Sequence, residues 1–260
     1  MFKRLLLCLF LLTAASRVGA VDYTDIYYIP AESGWGVNVV QSDNFLFVTF
    51  FIYGPTNQPT WYTAQLTLDS SGNYNGTLYA TTGTFYAMPW KTSDQTTTQV
   101  GTASFRPTSA YTATLVYTVT TPTALAATVT KLIQRQSLTP ITIGGSYIGA
   151  QSGAYSGCSN TSNNGGYSDF FGLVVNQSTN GSVTFNFTYQ SFTCTMSGTL
   201  TQFGQLYTMP TTAYVCSDGL NTNASMTEIK ATSLGIEGKF SAPAVGGGCQ
   251  EDATFSGVLH

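Results

Sequence analysis

Residues 31–62 read AESGWGVNVVQSDNFLFVTFFIYGPTNQPTWY, and this stretch decides the fold. It reads as three antiparallel strands joined by two turns. Over Gly34–Gln41, Trp35, Val37 and Val39 fall on one face while Gly36, Asn38 and Val40 fall on the other, the two-residue period of a strand. Ser42-Asp43-Asn44 supplies turn chemistry. Phe45–Tyr53 is apolar on both faces, with Phe45, Phe47 and Phe51 opposite Leu46, Val48, Phe50 and Ile52. Such a strand is expected to be covered on both sides. The interior of a barrel or sandwich would cover one side, and the second half of the chain the other. The turn Gly54–Pro59 then leads into Thr60–Leu68.

Working outward, Val21–Pro30 reads as a short edge strand, because Pro30 cannot donate to a ladder. Asn73–Thr82, Gln99–Phe105, Ala110–Val119 and Leu125–Gln134 continue the pattern, and Pro89 makes Thr84–Trp90 a loop or a short bent strand. Short links throughout predict an antiparallel meander closed into a barrel or sandwich. Ser137–Gly145, with its proline and glycine pair, reads as a boundary. The expected fold is all-β: two antiparallel β-barrel or β-sandwich units packed together, over residues 21–138 and 139–260, the second stapled by disulfides. The halves read either as distant copies or as convergent β-strand composition. Gly36–Ser42 aligns with Gly172–Ser178, Val48-Thr49-Phe50 with Val183-Thr184-Phe185, and Gly76-Thr77-Leu78 with Gly198-Thr199-Leu200. The loop Tyr155–Tyr167 is long and polar, as functional or mobile loops of β domains are.

Residues 1–20 read as a secretory signal peptide. Lys3 and Arg4 precede the apolar run Leu5–Ala15, and Val18-Gly19-Ala20 gives a small-residue cleavage site. The run is too short to span a bilayer, and Cys8 would leave with the leader. The expected location is secreted, periplasmic or at the outer envelope of a Gram-negative bacterium. Of the 9 basic residues, Lys3, Arg4 and Arg17 leave with the leader, so the net charge moves from −3 to −6 against 12 acids. An acidic chain with so few cations cannot neutralise phosphates, which excludes nucleic acid. The 5 cysteines become four: Cys158, Cys194, Cys216 and Cys249. An even count in an oxidising compartment points to two disulfides with three connectivities open. Cys194–Cys216 across a meander and Cys158–Cys249 from the start of the half to its end is the favoured set. No cysteine spacing suits zinc.

The string Pro30-Ala31-Glu32-Ser33-Gly34-Trp35-Gly36-Val37-Asn38 resembles the P-A-E-S-G-W-G-V-N signature of exported proteobacterial proteins. Pro59-Thr60-Trp61-Tyr62, the element Tyr74 to Gly83 and the strand Gly101 to Phe105 extend the resemblance over roughly residues 27–136. Phe50-Phe51 stands where that pattern would carry a tryptophan. The resemblance implies a bacterial envelope or secreted β domain. It supplies no reaction and no catalytic residues.

The only histidine is the terminal His260, so no Ser–His–Asp set is readable, and no cofactor is implied. Paired carboxylates could run glycoside chemistry without histidine. Asp43, Asp69, Asp94 and Asp218 sit in turn contexts, and the neighbours Glu251 and Asp252 would point to opposite faces of a strand. Glu32, before a tryptophan flanked by glycines, is the acid to single out, although such a carboxylate more often caps local backbone. Aromatic rings with nearby amides line small-molecule and sugar sites. On that ground the candidate ligand-binding residues are Trp35, Asn38, Trp61, Tyr62, Tyr86, Trp90 and Glu32. Trp35 and Phe47 read more readily as core. The function expected is an exported, non-enzymatic binding module for a small molecule or glycan. A structural or surface-assembly protein is the alternative, and a carboxylate-dependent hydrolase comes third.

Overall fold

The computed structural model describes residues 21–244 and 248–260. The leader expected over residues 1–20 lies outside them. Eight strands form the first unit: β1 (Asp25–Tyr28), β2 (Gly36–Ser42), β3 (Phe45–Tyr53), β4 (Pro59–Leu68), β5 (Tyr74–Thr82), β6 (Thr96–Pro107), β7 (Thr112–Val119) and β8 (Ala127–Arg135). Each pairs antiparallel with the next, and β1 closes the ring on β8 through Tyr27↔Arg135 and Tyr28↔Gln134. The unit is therefore a closed barrel. β1 is paired on both sides, so Val21–Pro30 holds a closing strand, not an edge.

Alternation fills this barrel. Val37, Val39, Leu46, Val48, Phe50, Ala64, Leu66, Leu78, Phe105 and Leu115 are all at 0% exposure and form one interior cluster. Removing each large side chain of this kind from water contributes roughly 1.5–3 kcal/mol. The opposite face of β3 corrects an expectation. Phe47, Phe51 and Tyr53 point outward into solvent, with Phe51 at 56% exposure opposite the equally open Trp61. The second half of the chain does not cover them. Apolar residues on both faces of a strand raise the odds of double cover but do not compel it, and here a closed ring leaves its convex side free.

The second unit holds β9 (Gly145–Ser156), β10 (Gly165–Gln177), β11 (Ser182–Thr188), β12 (Thr193–Thr199), β13 (Thr201–Phe203), β14 (Leu206–Cys216), β15 (Asn221–Ala231), β16 (Gly235–Pro243) and β17 (Gln250–Leu259). β17 pairs with β9, and β12 pairs with β14 as well as β11, which closes a second ring. β13 continues the line of β12 along β14 after a register slip at Leu200. Among the described residues both units are thus eight-walled antiparallel meanders. Two of the three sequence alignments follow this equivalence: Gly36 and Gly172 lie on the second strand of each barrel, Val48 and Val183 on the third. Gly76 lies on a fifth strand and Gly198 on a fourth, so that alignment does not.

Both disulfides are those expected, Cys158–Cys249 and Cys194–Cys216. Cys194 and Cys216 sit directly opposite across β12 and β14. Cys158 and Cys249 join the β9–β10 connection to the β16–β17 connection.

The boundary expected between residues 138 and 139 falls in the connection from β8 to β9. The barrels meet there. Arg135, 2% exposed, closes the near end of the first barrel. Its guanidinium donates to Asp25 at 3.1 Å and to the carbonyls of Ala110, Thr24 and Asp22, beneath the ring of Tyr27. The β13–β14 turn of the second barrel packs on this ion pair, with the Gln205 amide donating to Asp25 at 3.1 Å. Gly204 has φ +62°, and a Cβ there would lie 2.0 Å from Asp25 Oδ2, so only glycine fits. The far end of the first barrel carries the connections 29–35, 54–58 and 83–95. In the second barrel, both disulfides lie at the end opposite the β13–β14 turn.

Candidate functional site

The sequence candidates cluster at the far end of the first barrel without enclosing a site. Glu32 accepts from the Trp35 indole at 2.9 Å and from Lys131 at 2.6 Å, and the Lys131 ammonium lies 5.3 Å from the Trp35 ring. The hydrogen bond from Lys131, then that from Trp35, holds the exposed Glu32 carboxyl below its ordinary value. This carboxylate fixes the strand-leading turn by gripping a side chain; it does not hold a proton for general-acid work. Trp35 packs against the interior cluster. Tyr62 faces inward at 8% exposure, and Asn38 lies on the outer face of β2. Trp61 stands on the outer wall beside Phe51. Tyr86, at 93% exposure, and Trp90 belong to the open loop between β5 and β6, where the Phe85 and Tyr86 rings lie 4.6 Å apart. These side chains face different directions.

A concave site exists instead at the disulfide end of the second barrel. Its interior changes character along the strands. Its middle and the end toward the first barrel are apolar, filled by Phe185, Met209, Met226, Ile229 and Phe255, while Phe187 lies opposite Cys194. Towards the disulfides the same inward positions become Gln151, Tyr155, Tyr167, Tyr189, Tyr214 and Glu251. Except for Tyr167, these residues line an opening of about 400 Å³, joined by Asp169, Phe192 and Asp218. Eight strands leave room to be filled or to hold one small ligand. The first barrel is filled, and this mouth is open.

A directed chain of hydrogen bonds orders the floor. Tyr189 donates to Gln151 Oε1 at 2.7 Å, Gln151 Nε2 donates to Tyr167 at 3.3 Å, and Tyr167 donates to Glu251 Oε1. Among the described residues no donor reaches Glu251 Oε2. Rings stack around the chain: Tyr155 on Tyr167 at 4.9 Å, and Tyr189 on Phe192 at 4.6 Å. Burial raises the Glu251 carboxyl above its ordinary value; the hydrogen bond from Tyr167 opposes this, and the charges of Asp169 and Asp252 add to it. Burial, followed by the charges of Glu251, Asp169 and Asp218, pushes the Tyr155 hydroxyl up to about 12. Tyr167, Tyr189 and Tyr214 are raised as well, desolvation first. Perturbed groups gathered in a cleft mark a site candidate.

Sequence reasoning missed this mouth. Glu251 was read only as the neighbour of Asp252, although the prediction of opposite faces holds: Glu251 is 5% exposed and Asp252 is open. The available signal was an acid at the inward position of a strand whose next inward residues are Ala253 and Phe255.

A second hollow of about 540 Å³ lies between the barrels, lined in part by Asp22, Arg135, Glu228, Lys230, Glu237 and Lys239. Its charges answer one another, Lys239 to Glu228 at 2.8 Å and Lys230 to Asp22 at 3.9 Å. It reads as a charge-matched seam. Among the described residues no group of three His, Cys, Asp or Glu is placed to hold a metal ion. No helix among them is long and apolar enough to cross a membrane.

Fold and site together define a class: a tandem of eight-stranded antiparallel meander barrels, one filled and one open at an aromatic, acidic mouth. No protein-family model matches the chain, and no curated protein does. Among solved structures, it is similar to a protein of unknown function of the DUF3598 family from Nostoc punctiforme. That match has 8% identity and a TM-score of 0.29, and it covers 90% of this chain and 93% of the other.

Proposed function

We propose that this chain is an exported, non-enzymatic binding protein that seats one small molecule in the mouth of the second barrel. One observation carries the reading. A hydrogen-bonded floor of Gln151, Tyr167 and Glu251 lies among stacked rings at the base of an opening of about 400 Å³, within the range of small-ligand sites. The two disulfides rim this mouth and need an oxidising compartment. That requirement agrees with the leader-like residues 1–20 and the exported family the first half resembles.

The test is a thermal-shift screen of the purified protein against mono- and disaccharides and small polar organic molecules. A ligand binding only the folded state raises the unfolding midpoint by mass action. At least one compound is expected to do so, and Gln151→Leu is expected to abolish the shift while leaving the unliganded midpoint within a few degrees. If no compound shifts the midpoint, or if every shift survives Gln151→Leu, the reading fails. The outward Phe47, Phe51, Tyr53 and Trp61 favour a second reading, self-assembly through the wall of β2, β3 and β4. Under that reading, sizing chromatography would show an oligomer that Phe51→Ser with Trp61→Ser dissociates.

A further inference from the structure

We propose that the ligand of this mouth is a small organic cation, an ammonium group seated against the rings and carboxylates. The inference rests on the binding reading above and names its chemical class.

Three features of the mouth point the same way. Its lining contains the acids Glu251, Asp169 and Asp218 and no Lys, Arg or His among the described residues. Unlike the charged seam between the barrels, its negative charges have no facing partner within the lining. Next, the hydrogen-bond chain consumes its own donors. Tyr189, Gln151 and Tyr167 each donate inward to the next member, and the chain ends on a carboxylate. What remains towards the opening includes the charged acceptors Glu251 Oε2 and the Asp169 carboxylate, beside the hydroxyls of Tyr155 and Tyr214 and the amide of Asn163. A ligand completing this surface must bring positive charge or donors. Lastly, Tyr155, Tyr189, Phe192 and Tyr214 line the same space, and ring faces attract cations through their quadrupoles. Burial first, and then the charges of these acids, raise the Tyr155 and Tyr214 hydroxyls.

The chemistry argues against the obvious rivals. A hard divalent ion takes six or more oxygens, and aromatic walls deny them. A phosphate or carboxylate ligand would face three like charges. A neutral sugar could use the acceptors and the rings but would leave the charge unanswered. An organic ammonium uses all three.

The experiment is isothermal titration of the full chain with choline and with its neutral isostere 3,3-dimethylbutan-1-ol, which differ in charge and little in shape. Choline is expected to bind at least about tenfold more tightly than the isostere. Asp169→Asn and Tyr189→Leu are each expected to weaken choline several-fold, with unchanged far-ultraviolet circular dichroism. Asp169 lies outside the hydrogen-bond chain, so its variant tests charge without disturbing the floor. Equal binding of choline and isostere would overturn the cation class and leave the binding reading standing. Binding of neutral compounds from the screen without choline would do the same. Choline binding unaltered in both variants would place the cation elsewhere and overturn the proposal. If neither choline nor any screened compound binds, the mouth is no ligand site and both readings fall.

Discussion

Glu251 shows how much one inward position can change. It follows the alternation of β17, yet it sets a carboxyl among Tyr155, Tyr167, Tyr189 and Tyr214, beside Asp169 from β10 and its own neighbour Asp252. Desolvation raises its folded-state value above the ordinary 4.5. A carboxyl so raised contributes stability that is fully present below the unfolded value and is lost as pH rises through the folded one. Glu251→Gln removes that titration and keeps the shape. The unfolding midpoint of the wild type minus that of Glu251→Gln is therefore expected to fall as pH rises above the ordinary 4.5. Thermal unfolding followed by circular dichroism checks this. A difference constant with pH would show that burial does not perturb this group.

At the scale of elements, the two disulfides do different work. Cys194–Cys216 ties strands already in register and spans 22 residues; Cys158–Cys249 ties two connections across the mouth and spans 91. Restricting the unfolded chain gives about 3–4 kcal/mol for the short span and about 4–5 kcal/mol for the long one. Replacing Cys158 and Cys249 by serine is expected to cost about 1 kcal/mol more than replacing Cys194 and Cys216, measured by urea denaturation. An equal or reversed cost would show that the strand-to-strand bridge also holds native geometry. The long bridge was legible from cysteine count and chain position. The β9–β10 connection it clamps was legible in part: the polar loop expected over Tyr155–Tyr167 narrows to residues 157–164, because the ends of β9 and β10 pair through Gly165 and Tyr155.

For the whole molecule, an accident of composition supplies separate reporters. All 3 tryptophans, Trp35, Trp61 and Trp90, belong to the first barrel, and both disulfides belong to the second. Each barrel has its own interior cluster, and they meet mainly through polar groups: Arg135, Asp25, Gln205, and Tyr111 accepting from the Glu228 amide at 2.8 Å, with the Tyr111 ring 5.1 Å from that of Phe203. A mainly polar seam couples domains weakly. Under reductant the midpoint seen by tryptophan fluorescence is expected to move by less than half the fall seen by calorimetry for the second barrel. A single transition moving equally by both probes would mean that the barrels unfold as one unit. Two closed rings were foreshadowed by the short links and the boundary at Ser137–Gly145, whereas the choice of barrel over sandwich was not.

Most strand positions, the all-β class, the acidic composition and an even cysteine count that favoured this pairing were present in the sequence by itself. They depend on local alternation, turn residues and counts, which neighbouring positions determine. Only the tertiary structure decided that β1 closes a ring, that Phe47 and Phe51 face solvent, and that Gln151, Tyr167, Asp169 and Glu251 share one mouth. Those facts depend on which distant strands pair and in what register. Closure is a property of strand tilt and stagger around the whole ring, and no single segment carries it.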